Sequence, residues 1–259
     1  MQTSDLLRTL GVPELPRATS PFDPGYDPVT VIAHLAQSGH LMSRLKLSMA
    51  CWIIADEQAT RQKIAAAKDV GVPTVTGGGP FEVAAAQGCL DEYLDVCASM
   101  GFDRIECGEG FTDLQGDPAS LVRRAGERGL EVQFELGKKH GGAFDDATVT
   151  AMVDQARSWI DAGAAEVVVE ARENARAVGL FDGDGHLQAG FAERFVEALG
   201  MERVVFEAPD KPSQFAFLAH FGPRVQLSNV RLEELLRVEI YRRGLHSDSF
   251  ANPRLRPAR

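Results

Sequence analysis

The sequence predicts a single α/β domain in which eight strands, each followed by a helix, close into a (β/α)8 TIM barrel. Short β-branched or apolar runs alternate with longer stretches of helical spacing from about residue 40 onward. Several helical stretches end in a glycine that leads directly into a strand, as in MGFDRIE, RGLEVQFE, AGAAEVVVE and LGMERVVFE. This pattern is typical of βα units, which build parallel sheets.

The predicted strands are short, and seven of them are clear from the pattern alone. The eighth comes from the N-terminal region, before a helix that begins near Pro28. The strands span residues 18–22, 45–49, 72–76, 104–107, 130–136, 166–170, 203–207 and 224–227. The helices that follow the last seven span residues 57–69, 81–100, 117–128, 147–162, 190–200, 211–221 and 231–243.

A closed barrel is favoured over an open doubly wound sheet for two reasons. Eight units suffice to close a barrel, whereas an open sheet usually has fewer strands and often carries a glycine-rich nucleotide motif. The sequence contains no GxGxxG or GxxxxGK[ST] motif. One domain is therefore expected over residues 1–259, with about the first 15 and the last nine residues peripheral.

Charge and composition limit the kinds of molecule that the protein is expected to bind. The net charge of −10 argues against a nucleic-acid binder, although basic groups that converge locally can still bind a small anionic substrate. The four cysteines show no CxxC spacing, which indicates reduced thiols. Since we find neither a signal-peptide pattern nor a run of 18 apolar residues, we expect a cytoplasmic protein that does not contact membranes.

Acidic residues end three of the predicted strands, where the active site of such a barrel lies. They are Glu135, Glu170 and Glu207. Because burial of an unpaired charge is costly, carboxylates that converge on one barrel mouth indicate a hard-cation site suited to Mg²⁺. The alternative is a structural ion network in which each glutamate pairs with Lys138, Arg172 or Lys211.

Basic residues follow strands or end helices in the second half of the chain, and further candidates occupy other strand ends. The basic residues are Lys138, Lys139, Arg172, Lys211, Arg242 and Arg243, and the other strand-end candidates are Lys46, Gly77, Gly78 and Asn229. Arginine matches phosphate and carboxylate geometry, and lysine supplies a point charge or a proton. For the arginine pair the alternative is a helix C-terminal charge, and for the glycines a simple turn. His140, beside the two lysines, is a further candidate.

At these strand ends the sequence resembles the phosphosulfolactate synthase family. The matching segments are VTGGGPFE (75–82), ELGKK (135–139), VVVEARENARAVGLFDGDG (167–185), VVFEAPDKPSQFAF (204–217), VQLSNV (225–230) and RRGLHSDSF (242–250). The resemblance runs from about residue 45 to residue 250. It implies a (β/α)8 barrel enzyme that adds sulfite to phosphoenolpyruvate with Mg²⁺, giving phosphosulfolactate on the route to coenzyme M.

The resemblance also implies roles for the strand-end residues. Sulfite attacks C3 of the enol phosphate, and a cation held by Glu135, Glu170 and Glu207 stabilises charge on the substrate carboxylate. Lys138 is our first choice for the general acid that protonates C2, and Lys139 is the alternative. Lys46, which is retained from a further family motif, is a third candidate for a catalytic residue. The candidates for the phosphate and carboxylate are Arg172, Lys211, Arg242 and Arg243, with Gly77, Gly78 and Asn229 beside them.

The chain departs from the family pattern in its first half. A KxGWGT-type segment reads KLSMAC (46–51), a DKG-like turn reads DPG (23–25), the GGT after the third strand reads GGG (77–79), and an acidic, serine-rich turn reads CGEGF (107–111). The charged groups of the second half are kept, so we expect the enol phosphate and metal sites to persist and the co-substrate pocket to be remodelled. A different nucleophile, a weakened reaction and a non-catalytic stress-associated relative are the alternatives. An apolar outer helical face is compatible with a homo-oligomer.

Overall fold

Eight parallel strands form a closed barrel at the centre of the computed structural model, which describes residues 2–114, 116–139, 141–172 and 174–256. The strands are β1 (Thr19–Asp23), β2 (Leu45–Leu47), β3 (Thr74–Thr76), β4 (Arg104–Gly108), β5 (Glu131–Leu136), β6 (Glu166–Val169), β7 (Val204–Glu207) and β8 (Gln226–Arg231). Each strand pairs with the next along the chain, and β8 pairs with β1. The predicted (β/α)8 barrel is confirmed.

Eleven α-helices accompany the strands in the described part of the chain. They are α1 (Thr3–Thr9), α2 (Pro28–Ser38), α3 (Cys51–Ile54), α4 (Glu57–Asp69), α5 (Gly78–Ala86), α6 (Leu90–Met100), α7 (Pro118–Gly126), α8 (Asp146–Asp161), α9 (Ala189–Leu199), α10 (Lys211–Phe221) and α11 (Leu235–Arg242). Within the described residues, every helix is too short or too polar to span a bilayer.

One predicted helix, residues 81–100, is two helices in the structure. Gly88 adopts φ +72°, in the left-handed region that ends helices, so α5 stops before it and α6 starts two residues later. The extra helix α5 therefore follows β3 directly and lies at the C-terminal end of the barrel. The short helices α1 and α3 were not predicted, because neither is long enough to show a periodic pattern.

Aspartates cap the first turns of several helices. They therefore help to fix the residue at which each of these helices begins. The N-cap side chains that accept a hydrogen bond from a first-turn N–H are those of Asp27, Asp56, Asp117, Asp145 and Asp210. Such caps satisfy backbone donors that the helix itself leaves unpaired.

Aromatic stacking shows which strand residues face the helices. The ring of Phe134 on β5 lies 4.1 Å, centroid to centroid, from Trp159 on α8, and Phe206 on β7 lies 4.6 Å from Phe217 on α10. Because successive side chains of a strand point to opposite faces, the next residue of each strand, Glu135 or Glu207, points into the barrel. The fold thus brings carboxylates to the inside of the barrel at its C-terminal end.

An ion cluster fills the opposite, N-terminal end of the barrel. Glu166, at the start of β6, lies 2.5 Å from Nη1 of Arg44 and 3.0 Å from Nη1 of Arg104, measured from its Oε1. All three side chains are largely buried. The floor of the barrel is therefore closed by paired charges.

Arg242 also lies at the N-terminal end, which does not fit its predicted role in substrate binding. Its side chain is fully buried, pairs with Glu239 at 3.0 Å, and donates to Thr19 Oγ1 at 2.8 Å and to the Val225 carbonyl at 2.7 Å. Arg243 pairs with the same glutamate. The physical reason is that α11 runs antiparallel to the strands, so its C-terminus lies at the end of the barrel away from the strand C-termini.

Candidate active site

Six charged side chains meet inside the barrel at its C-terminal end, and we call them the charged cluster. Its members are Lys46 on β2, Glu106 on β4, Glu135 on β5, Lys139 after β5, Glu170 after β6 and Glu207 on β7. The four glutamates are buried, whereas Lys139 keeps 28% of its side chain exposed. The three glutamates predicted from the strand ends are therefore brought together.

The two lysines divide the carboxylates between them. Lys46 Nζ lies 2.7 Å from Glu106 Oε1 and 3.8 Å from Glu207 Oε1. Lys139 Nζ lies 2.8 Å from Glu135 Oε2 and also contacts Glu170 Oε2. Since each lysine touches two carboxylates, neither can leave its place without exposing a buried negative charge.

The charged cluster contains more negative than positive groups. Its four carboxylates and two ammonium groups leave two negative charges in excess when all are ionised. Burial and the neighbouring charges of Glu170 and Glu135 raise the pKa of Glu207 well above its usual value. Burial also raises the pKa of Glu106 despite Lys46. This part of the cluster is short of positive charge.

The pKa values of the two lysines in the cluster are raised as well, which favours the charged form of a lysine. Burial alone would lower the pKa of Lys139, but the charges of Glu135, Glu170 and Glu207 outweigh burial and raise this pKa above the usual lysine value. Lys46 is affected in the same way, mainly by Glu106. Both lysines are therefore ammonium groups at neutral pH.

The donor set fits a divalent cation. Carboxylate oxygens of Glu135, Glu170 and Glu207 all lie within 4.8 Å of one another, which is near the spacing of up to about 4.2 Å that two ligands of one ion have at Mg–O distances of about 2.1 Å. The two excess negative charges match the charge of such an ion. The ion-network alternative named Lys138, Arg172 or Lys211 as partners, but Lys138 and Lys211 pair with aspartates elsewhere. In the structure Lys139 pairs with two of these three carboxylates. Mg²⁺ binding stays a prediction.

A cavity of about 1180 Å³ opens above the charged cluster. Four predicted substrate-binding residues, Gly77, Gly78, Arg172 and Asn229, line it together with the cluster. The backbone N–H of Gly78 donates to Glu106 Oε1 at 3.0 Å, so this glycine packs directly against the cluster. The C-terminal mouth of the barrel is thus the candidate active site.

Replacement of Gly77 by alanine is expected to destabilise this mouth. A Cβ at Gly77 would stand 2.4 Å from the backbone nitrogen of Met49, so the β2 or β3 end must shift. We expect a loss of ~1–3 kcal/mol in the free energy of unfolding, measured by urea denaturation. Gly183→Ala is the control, because a Cβ there meets nothing within 4 Å. Equal stability of the two variants would contradict the crowding seen at Gly77.

Three non-glycine residues that line the cavity, Met49 (φ 52°), Arg172 and Asn229, have left-handed backbones. Arg172 (φ 56°) donates from its backbone N–H to Glu170 Oε1 at 2.6 Å and from its guanidinium to the Lys139 carbonyl at 2.6 Å. Asn229 (φ 53°) donates from Nδ2 to Glu207 Oε1 at 2.6 Å. Such conformations are sparsely populated and gather at functional sites. Here they bring the Asn229 side chain to Glu207 and the Arg172 backbone N–H to Glu170.

Besides Arg242 and Arg243, two more predicted site residues lie outside the cavity. Lys138 is 48% exposed and pairs with Asp113 at 2.7 Å. Lys211, equally exposed, pairs with Asp248 at 3.4 Å. The geometry therefore places Lys139, our alternative, where we had expected Lys138. His140 lies outside the described residues.

Glu82 is a buried residue that the sequence reasoning missed. Its carboxylate accepts from the backbone N–H groups of Gly110, Phe111 and Thr112 at 2.9–3.0 Å. The carbonyl of Gly110 in turn accepts from the backbone N–H of Lys139 at 2.7 Å. Glu82 thus holds the loop that holds the backbone of Lys139. An acidic residue within the apolar segment PFEVAAA was the available signal.

The family model and the relatives that match this chain in sequence all belong to one enzyme family. Residues 13–248 match the family model for (2R)-phospho-3-sulfolactate synthase (ComA). The chain is 31% identical over 229 residues to a phosphosulfolactate synthase of Methanocaldococcus jannaschii, covering 88% of this chain and 91% of the relative. It is 26% identical over 191 residues to a phosphosulfolactate synthase of Bacillus subtilis, covering 73% and 75%.

Solved structures support the fold alone. A 3-hexulose-6-phosphate synthase superposes with a TM-score of 0.55 at 13% identity, covering 85% of this chain and 99% of that one. A 3-dehydroquinate dehydratase from Geobacillus kaustophilus superposes with a TM-score of 0.54 at 10% identity, covering 86% and 90%. Because fold does not fix function, these likenesses say nothing about the reaction.

Proposed function

The chain belongs to the (2R)-phospho-3-sulfolactate synthase family, and from that membership we propose that it is a lyase that joins a sulfur nucleophile to C3 of phosphoenolpyruvate. Sulfite is the nucleophile that the family resemblance implies. The observation that carries the proposal is the charged cluster, which gathers carboxylates and two ammonium groups under a cavity at the C-terminal mouth of the barrel. Active sites of such barrels occupy this end.

The enol phosphate is proposed to lie on the side of the cavity that is formed by residues from the second half of the chain. Arg172 and Asn229 line that side, and Lys139 projects into it between Glu135 and Glu170. A Mg²⁺ held by Glu135, Glu170 and Glu207 would supply positive charge beside the substrate carboxylate. The carboxylates of Glu135, Glu170 and Glu207 are buried, and charges attract one another more strongly at a buried site than in bulk water.

Lys139 is proposed as the general acid. The sulfur lone pair forms the new bond to C3, the π electrons of the C2–C3 double bond move toward C2, and the ammonium of Lys139 gives its proton to C2. The phosphate ester stays intact. Lys46 remains paired with Glu106 and keeps the first-half side of the cluster neutral.

Ligand stabilisation tests the proposal before any product is known. A ligand that binds only the native state raises its stability, by about 2.7 kcal/mol at 100 times Kd. We expect phosphoenolpyruvate with Mg²⁺ to raise the Tm of the protein and EDTA to reduce that rise. Glu207→Gln should lose the Mg²⁺-dependent part, whereas Glu197→Gln, on the exposed face of α9, should keep it.

An unchanged Tm at millimolar ligand would refute the proposal. Consumption of phosphoenolpyruvate that depends on sulfite would identify sulfite as the nucleophile. The non-catalytic alternative predicts neither a Tm rise nor turnover, so the same two measurements separate it from the enzyme.

A further inference from the structure

The wall of the cavity that comes from the first half of the chain is apolar. We call it the apolar wall, and its members are Met49, Trp52, Ile53, Val83, Val96 and Phe111. They come from the loop between β2 and α3, from α3, from α5, from α6 and from the loop after β4. Trp52 is buried, whereas each of the other five exposes about half of its surface.

We propose that the apolar wall holds the organic part of the sulfur nucleophile, so that the co-substrate is a thiol with an apolar body rather than sulfite. The inference rests on the proposed function, because it takes the enol phosphate to occupy the charged cluster. It assigns the second substrate to a different chemical class from the sulfite that the family resemblance implies.

Cavity size is the first argument. Pockets for drug-sized ligands measure roughly 300–1,000 Å³, and this cavity reaches about 1180 Å³. A three-carbon enol phosphate and sulfite together would leave much of that space, and most of the apolar wall, in contact with water. Contiguous apolar surface rimmed by polar groups marks ligand grooves. An organic group seated there would stabilise the complex by about 25 cal/mol for each Å² of apolar surface removed from water.

Charge is the second argument. Sulfite carries its negative charge on three oxygens, which need several cationic or N–H donors when taken out of water. Among the described residues that line the first-half side, the lysine is Lys46, and it already pairs with Glu106 and lies 3.8 Å from Glu207. Arg231, which lines the cavity beside Phe22, already pairs with Glu233 at 2.7 Å. Glu92, exposed on α6 at the rim, adds another negative charge. An uncharged organic body needs no such donors.

The reaction balances without an added oxidant or reductant. The thiol sulfur forms a bond to C3 and loses its proton, while C2 gains a proton from Lys139. The lysine is then reprotonated by the proton that the thiol lost. The product is a thioether of 2-phospholactate, with the phosphate ester unbroken.

A nucleophile panel tests the inference. The protein is incubated with phosphoenolpyruvate and Mg²⁺ and with sulfite, 2-mercaptoethanol or 2-phenylethanethiol, and adducts are measured by mass spectrometry. We expect kcat/KM for 2-phenylethanethiol to exceed that for 2-mercaptoethanol and sulfite by at least about tenfold, which is 1.4 kcal/mol. A preference for sulfite, in protein whose Tm rises with phosphoenolpyruvate, would overturn the inference and leave the proposed function standing.

Variants of the apolar wall locate the effect. Val83→Ser and Ile53→Ser should raise KM for 2-phenylethanethiol about tenfold and leave the phosphoenolpyruvate-dependent Tm rise unchanged. Val29→Ser is the matched control, because Val29 is 77% exposed on α2 and does not line the cavity. Unchanged KM values would overturn the inference. So would a wall variant whose only effect is a smaller mass in solution, which would show that the wall binds a second copy of this chain. If phosphoenolpyruvate never raises the Tm, the proposed function fails as well.

Discussion

Replacing Lys139 with alanine is expected to lower turnover by about 10²–10⁴-fold, the usual contribution of a general acid. Lys139 lies in the charged cluster, 2.8 Å from Glu135, and its raised pKa keeps it protonated at neutral pH. Lys138→Ala should leave turnover within a few-fold, because Lys138 is 48% exposed and pairs with Asp113 outside the cavity. Single-turnover rates of the two adjacent variants compare the two candidates directly.

Lys139→Ala also removes a cation from among buried carboxylates, so a loss of folding must be separated from a loss of chemistry. Lys139→Arg keeps the positive charge, yet an arginine does not give up its proton at neutral pH. This variant should keep the Tm rise with phosphoenolpyruvate and Mg²⁺ while losing turnover. Activity in Lys139→Arg together with inactivity in Lys138→Ala would assign the proton donor to Lys138, the choice that the sequence first favoured.

Replacing Arg242 with methionine is expected to cost ~3–5 kcal/mol of folding stability, as the loss of one partner from a buried ion pair does. Arg242 is fully buried, and its removal leaves Glu239 without one of its cations and Val225 and Pro223 without a donor to their carbonyls. The KM for phosphoenolpyruvate should not change, because Arg242 lies at the far end of the barrel.

Urea denaturation and steady-state kinetics together check this expectation. Arg157→Met provides the matched control, since Arg157 is 53% exposed and forms only a surface pair with Asp154, for which ~0–1 kcal/mol is usual. A raised KM with unchanged stability in Arg242→Met would restore the role in substrate binding that the sequence suggested.

The barrel itself could be predicted because its signals are local. Glycines that end helices and short apolar runs that follow them repeat along the chain, and α4 and α10 match the predicted ranges 57–69 and 211–221 residue for residue. The split of the predicted helix at Gly88 was missed because a glycine inside a helical pattern is tolerated, and only its positive φ shows that the helix stops there.

The site could be predicted only as far as strand alternation extends. Glu135 lies on β5, where neighbouring side chains alternate between the two faces. Beyond the strand, Gly137 adopts φ +125° and breaks the alternation, so the sequence could not decide which of Lys138 and Lys139 points inward. Charges that end a helix are a separate case. Each barrel helix runs antiparallel to the strands, so its C-terminus lies at the N-terminal end of the barrel. This rule alone would have placed Arg242 away from the active site.

Glu106 and Glu82 show a further limit. Both are buried acids whose partners come from distant parts of the chain, since Glu106 pairs with Lys46 and Glu82 binds the loop at residues 110–112. A single sequence contains no record of such pairs. Their roles became visible only when the barrel had brought the partners within hydrogen-bonding distance.

The pairing of β1 with β8, beside which Arg242 bonds to Thr19, has a consequence for how the chain folds during synthesis. Arg242 bonds to Thr19 across 223 residues, and β1 finds its second neighbour only when β8 pairs with it. Until the ribosome has released nearly the whole polypeptide, β1 presents an open backbone edge of the kind that recruits other chains. Contacts so distant in sequence also form slowly. A nascent molecule is therefore most exposed to aggregation until β8 pairs with β1 and closes the barrel. The buried Arg242 then stabilises the closed barrel.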